Sequence, residues 1–264
     1  MNWLKRSTKD DKGLFFLFAA MKLIICAASI NEISRIIDHY NAHLVLSHKH
    51  KYSVYFHSDK DDIYYFLIIG MGLKNVKKNL NFFIDKFQLD HSFRWILTGF
   101  CGAVKPGINT GSIIFPRIVK DDVRSFTIDQ KGFQYKSGYT LFSVNKIYGR
   151  NGKKELVRIH PEADVIDMEG TGFCEIMNEY DISNFIIYKS ITDNRDFIFP
   201  DYRLIRRSIF SVPLKILFSV MIKDPRQLKH FFMIYRNMRK ASKEIFKAFF
   251  RLSENNEDKR NKNR

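Results

Sequence analysis

The chain has 264 residues, 45% of them hydrophobic and 15% aromatic, enough to bury one sizeable core. Thirteen glycines, six prolines and 27% charged residues exclude collagen-like, low-complexity and wholly disordered classes. The net charge is +16 but uneven: residues 201–264 carry 17 Lys/Arg against 6 Asp/Glu, a net +11 that leaves +5 for residues 1–200. Such a basic quarter can meet nucleic acid or anionic lipid, or be a solvated helix face with a frayed tail. Cys26, Cys101 and Cys174 lie far apart with no CxxC pair. That argues against a disulfide framework and a structural zinc site, and fits a reducing, cytoplasmic setting.

In chain order, residues 1–20 form an extension in which Lys5, Arg6, Lys9 and Lys12 precede an apolar run from Gly13. The combination resembles a signal peptide, but Lys22 interrupts it, and Met21–Ala28 reads equally well as a first buried strand. No later segment reaches the ~18 apolar residues of a membrane-spanning helix. Ile30–Tyr40 carries Ile33, Ile36 and Ile37 at helical spacing. Tyr52–Phe56 and Tyr64–Ile69 read as strands, the second ended by Gly70-Met-Gly72. Asn75–Phe87 follows as a helix with Val76, Leu80, Phe83 and Phe87 on one face. Trp95–Thr98 is a short strand closed by Gly99-Phe-Cys-Gly102, and Ser112–Pro116 is another.

Residues 117–164 read as polar and irregular, apart from a strand at Tyr139–Tyr148. Val165–Met168 leads into a helix through Glu179, and Phe185–Ser190 is one more strand. Arg207–Ile222 and Gln227–Leu252 read as basic amphipathic helices, and residues 253–264, without a hydrophobic side chain, as a disordered basic tail. The alternation predicts an α/β fold: a single domain at 21–252 with a central mixed, mostly parallel sheet flanked by helices, its 197–252 part a basic helical extension. Functional residues belong at the strand ends near 29–32, 70–75, 98–102 and 190–196.

Several chemistries lack their residues. There is no GxxxxGK[ST] loop and no GxSxG elbow, and Gly70-Met-Gly72 lacks the third glycine of a dinucleotide fingerprint although Asp90 lies about 20 residues on. His39, His43, His48, His50 and His57 show no paired metal-ligand spacing and read as a solvated surface, so neither metal nor cofactor is expected. Glu32, Asp167-Met-Glu169 and Asp193 stand out. A single carboxylate at such a point reads as a helix cap; three converging at strand ends make a site for acid–base chemistry.

Trp95-Ile-Leu-Thr-Gly-Phe-Cys-Gly102 with its continuation to Gly111-Ser-Ile-Ile114 resembles a glycine-rich segment of the purine nucleoside phosphorylase/uridine phosphorylase superfamily. Asp164-Val-Ile-Asp-Met-Glu-Gly170 resembles its VDME helix start, and Lys189-Ser-Ile-Thr-Asp193 its R-x-(I/V)-S-D strand end. Met21–Ile33 is similar to the first strand of the methylthioadenosine/S-adenosylhomocysteine nucleosidase branch, with a glutamate at the place of Glu32. The four motifs cover roughly residues 21–196 in order.

The resemblance implies cleavage of the N-glycosidic bond of a purine nucleoside, of adenine type and 5′-substituted. Asp193 would be the acid that protonates the leaving base, and Glu32 would activate the attacking water. Glu169 would bind the ribose hydroxyls, and Met168 would pack on the sugar. Thr192, Gly99, Phe100 and Gly72 would complete the pocket, with Ile147 and Tyr148, or Phe142 in competition, against the base. A carboxylate at the nucleophile position repels a phosphate dianion, and Asn75 stands where the phosphorylases have a serine, so water is favoured over phosphate.

A phosphate-dependent nucleoside phosphorylase, whose nucleoside could also be lipid-linked, of hopanoid type, is the alternative. Another class stays open too: a catalytically weakened member that binds anionic membrane through residues 203–251, where basic and aliphatic residues mix in a way that disfavours nucleic acid. The resemblance also implies a homodimer, in the cytoplasm or at the inner face of the membrane.

Overall fold

The computed structural model describes residues 21–48, 52–89, 92–128, 138–199 and 225–262. The expectations for residues 1–20, His50, Asp90 and a helix at 207–222 lie outside them. The first half of the chain runs β1 (Lys22–Ala27), α1 (Ile30–His39), β2 (His43–His48), β3 (Tyr52–Asp59), β4 (Asp62–Ile68), α2 (Leu73–Phe87), β5 (Arg94–Leu97) and β6 (Phe100–Ala103). It continues with β7 (Ile113–Ile114), β8 (Pro116–Lys120), β9 (Ser125–Thr127), β10 (Tyr139–Ser143), α3 (Arg150–Ile159), β11 (Val165–Asp167), α4 (Gly170–Glu179), β12 (Phe185–Ile187), β13 (Lys189–Asp193) and α5 (Pro225–Lys262).

The expected single sheet hydrogen-bonds as two mixed sheets, ordered β12–β5–β1–β4–β3–β2 and β7–β13–β6–β11–β10–β8–β9. In the first, β12, β5, β1 and β4 are parallel neighbours and β3 and β2 are antiparallel. Two neighbouring strand pairs link the sheets. β5 continues into β6 and β12 into β13, with Tyr188 N–H donating to Leu97 O and Ser190 N–H to Gly99 O across the junction. Gly99, at φ +142°, supplies the bend in a backbone conformation that side chains rarely adopt. After that bend Phe100–Gly102 open a new strand, β6, where the sequence suggests only a terminator.

β1 explains why its sequence is continuously apolar. Ile24 and Cys26 face a cluster with Val76, Leu80 and Phe83 of α2. Leu23, Ile25 and Ala27 face the other way, onto Ile33, Ile36 and Ile37 of α1 and Ile245 and Phe249 of α5. A strand covered on both sides shows no alternation.

α5 uses the same logic. Ile234, Met238, Ala241, Ile245, Ala248, Phe249 and Leu252 recur at three- and four-residue spacing and are buried against the rest of the chain. The described apolar stripe, open to a membrane reading in the sequence, is thus covered intramolecularly by α1 and the sheet. The helix also continues through residues 253–262, where disorder is expected; elongating an established helix is far easier than nucleating one.

Sequence reading missed β2, β8, β9 and α3. β2 is an exposed edge strand, and α3 buries only Lys153 and Leu156, so neither carries a clear periodic signal. Among the described residues no helix is long and apolar enough to cross a membrane.

Candidate active site

A pocket with about 740 Å³ of space, its open mouth included, lies where the first residues of β6 and the C-terminal ends of β10, β11 and β13 meet the start of α1. Glu32, Phe100, Ile147, Tyr148, Met168, Glu169, Thr192 and Asp193 all line it. Gly99 and Gly72 stand just behind the wall. A Cβ on Gly99 would come within 3.0 Å of the Glu32 carboxylate, and the Gly72 N–H donates to Glu169 Oε1 at 3.3 Å. Phe142 is buried and packs on the His160 ring, outside the lining. Phe100 lines the pocket without filling it, and Phe199, Ile234 and Met238 supply an apolar wall from the C-terminal part of the chain.

The three carboxylates converge, each 4–5% exposed, but their environments differ. Glu32 is in the first turn of α1, where its Oε2 accepts the Ser29 N–H at 2.9 Å, and its Oε1 accepts the Phe100 N–H at 3.1 Å. Burial pushes this carboxyl up to about 7; the nearby Lys189 ammonium and the two N–H donors oppose that rise, while Glu169 adds to it. Glu169 also lies above the ordinary carboxylate range through burial, opposed by Lys189.

Asp167, not Glu169, caps α4: its Oδ2 accepts the Gly170 N–H at 2.9 Å and its Oδ1 the Ser143 hydroxyl at 2.8 Å. Glu169 is free of capping and reaches instead to Gly72 and Lys189. Lys189 is fully buried, with its Nζ 3.1 Å from Asp167 and 3.3 Å from Glu169. Burial alone would lower it, but Asp167, Glu169 and Glu32 outweigh that and hold its proton.

Asp193 has a partner that no motif indicated. Its Oδ1 accepts the Thr192 hydroxyl at 2.7 Å, and its Oδ2 pairs with the ammonium of Lys153 on α3. Lys153 sits three residues before Leu156 on the buried face of that helix. A lysine at an apolar position of an amphipathic pattern is the only signal that could have found it.

These groups can hold a cis-diol at Glu169, a water molecule at Glu32 and a hydrogen-bonding heterocycle at Asp193, all on one apolar-walled cavity. No protein-family model and no curated protein matches the chain by sequence. Solved structures match it in fold. The 5′-methylthioadenosine/S-adenosylhomocysteine nucleosidase of Neisseria meningitidis, in complex with methylthio-immucillin-A, aligns with a TM-score of 0.58 at 16% identity over 86% of this chain and 99% of its own. An MTAN from Chlamydia trachomatis aligns at 0.60 and 16% identity, over 88% and 97%. A futalosine hydrolase from Helicobacter pylori aligns at 0.51 and 12% identity, over 65% and 89%. With its paired mixed sheets and strand-end pocket, the chain has the fold of these nucleosidases and this hydrolase.

Proposed function

We propose that the protein hydrolyses the N-glycosidic bond of a purine nucleoside, of adenine type and with an apolar 5′ substituent. The observation that carries this reading is the convergence of Glu32, Glu169 and Asp193 on one pocket. Glu169 accepts the ribose hydroxyls, and its charge favours the cationic character that the sugar develops as the bond breaks. Glu32, titrating near neutrality, accepts the proton of the attacking water. Asp193 is the group through which a proton reaches the departing base. Phe199, Ile234 and Met238 give a 5′ substituent an apolar surface.

Water is the better nucleophile here. Among the described residues lining the pocket Lys146 is the one cation, and Glu32 would repel a phosphate dianion at the attack position. The fold shared with methylthioadenosine/S-adenosylhomocysteine nucleosidases supports the same choice. Release of free base from methylthioadenosine and related 5′-substituted adenosines, without added phosphate, tests it. Strict dependence on phosphate, with ribose-1-phosphate as product, would overturn hydrolysis. Turnover of no nucleoside at all would overturn the enzyme reading.

A further inference from the structure

We propose that Lys153 is a positioning residue for Asp193 and the store of the proton that Asp193 hands to the leaving base. The inference rests on the nucleoside-hydrolysis reading above.

Lys153 is 0% exposed. Its three ammonium hydrogens find three acceptors: the Asp193 carboxylate, the Asp193 carbonyl at 3.3 Å and the Asn194 carbonyl at 2.9 Å. The remaining carboxylate oxygen of Asp193 accepts from Thr192. A Cβ on Gly102 would fall 2.7 Å from Asp193 Oδ2 and 3.1 Å from Lys153 Nζ, so the pair fills space that glycine leaves open. Asp193 is thereby fixed in one orientation, by a cation.

An ionised carboxylate only accepts hydrogen bonds; it has no proton to give. In a buried pair, however, amine beside carboxylic acid is one proton shift along one hydrogen bond away. As the C–N bond breaks, its electron pair passes to the base. The base nitrogen takes a proton from the Asp193 carboxyl, Asp193 takes one from Lys153 Nζ, and a neutral amine is left beside a carboxylate. The water oxygen bonds to the sugar carbon and its proton goes to Glu32. Exchange with solvent returns that proton to Lys153 as products leave, and atoms and charge balance.

The titratable groups around the pair are Cys101 on β6, Asp167 on β11, Lys189 on β13 and Glu169 at the start of α4. Lys146 and Tyr148 stand on the loop before α3, and Glu32 lies across the pocket. Cys101 is held well above the ordinary thiol range, chiefly by burial, and Lys189 keeps its proton. Glu32 sets an acid limb common to all variants, so the alkaline side carries the test.

Base release is measured from pH 5 to 10 for the wild type, Lys153→Met and Lys153→Arg. Wild-type kcat/KM should stay level on the alkaline side to about pH 9, because the relay begins at an ammonium held by three acceptors. Lys153→Met should lose about 10²-fold at pH 8, the scale of one proton donor, and its deficit should narrow toward pH 6, where solvent supplies protons more freely. Lys153→Arg keeps the charge but cannot yield its proton, and should not rescue the rate. Wild-type rates in the arginine variant would reduce Lys153 to a charge partner, and a methionine deficit equal at every pH would reduce it to packing; either overturns the proposal. If circular dichroism shows both variants unfolded, the wild type decides alone: a decline beginning below pH 8 overturns it. An inactive wild type would refute hydrolysis itself, a result distinct from an active wild type rescued by arginine.

Discussion

Glu32 shows how one side chain couples stability to chemistry. Its folded-state carboxyl lies near 7 against an ordinary 4.5, chiefly because burial removes it from water. The sign follows directly: the protonated form is favoured in the fold, so the stabilisation is complete below about 4.5 and is lost as pH rises through about 7. A Glu32→Gln variant should therefore gain about 3 kcal/mol on the wild type between pH 4 and pH 8, at about 1.4 kcal/mol per pH unit, while losing hydrolysis. Parallel melting curves for the two proteins across that range would contradict the buried-carboxyl account.

Asp193→Asn should lower turnover by about 10²–10⁴ with a smaller change in KM, whereas Glu169→Gln should worsen both, because its carboxylate meets the sugar before and during reaction. A fully active Asp193→Asn enzyme would end the acid assignment. The three carboxylates were legible in the sequence because each interrupts an apolar strand end. Lys153 was not: on a helix with so few apolar residues, one more lysine reads as solvent-facing, and only the folded chain brings it to the C-terminal end of β13 and Asp193.

At the scale of elements, the bend between β5 and β6 turns a strand end into a pocket wall. Gly99→Ala should strain a backbone at φ +142° and press a methyl on the Glu32 carboxylate. A stability loss of about 1–3 kcal/mol, with reduced kcat, is expected from denaturant titration and assay, and a wild-type-like variant would refute the close contact. Sequence periodicity placed β1, α1, α2 and the α4 region because each has a two-sided or striped apolar pattern. It could not divide the sheet in two, since the division depends on a glycine bend and on which strands stay paired across it. For α5 the stripe was readable but its cover was not; an amphipathic pattern looks alike whether it meets lipid or the chain's own core. Phe249→Ala should cost about 3–5 kcal/mol, as for a buried aromatic. An unchanged denaturation midpoint would mean that α5 is not part of the core.

Over the whole molecule, the +16 net charge contrasts with a pocket dominated by buried carboxylates. The basic excess at 201–264 was plain from counting, and so was the α/β class, because strands and helices alternate along the chain. The three free cysteines, all buried, have a practical consequence. Burial pushes the thiols of Cys26, Cys101 and Cys174 far up, so the native protein offers almost no thiolate to an alkylating reagent. Labelling therefore works as a clock for opening, with three dials: the middle of the first sheet, the strand beside the pocket, and α4. If the sheets open together, all three should label at one rate. A nucleoside analogue lodged against Cys101 should slow that dial whenever local breathing, not global unfolding, exposes it.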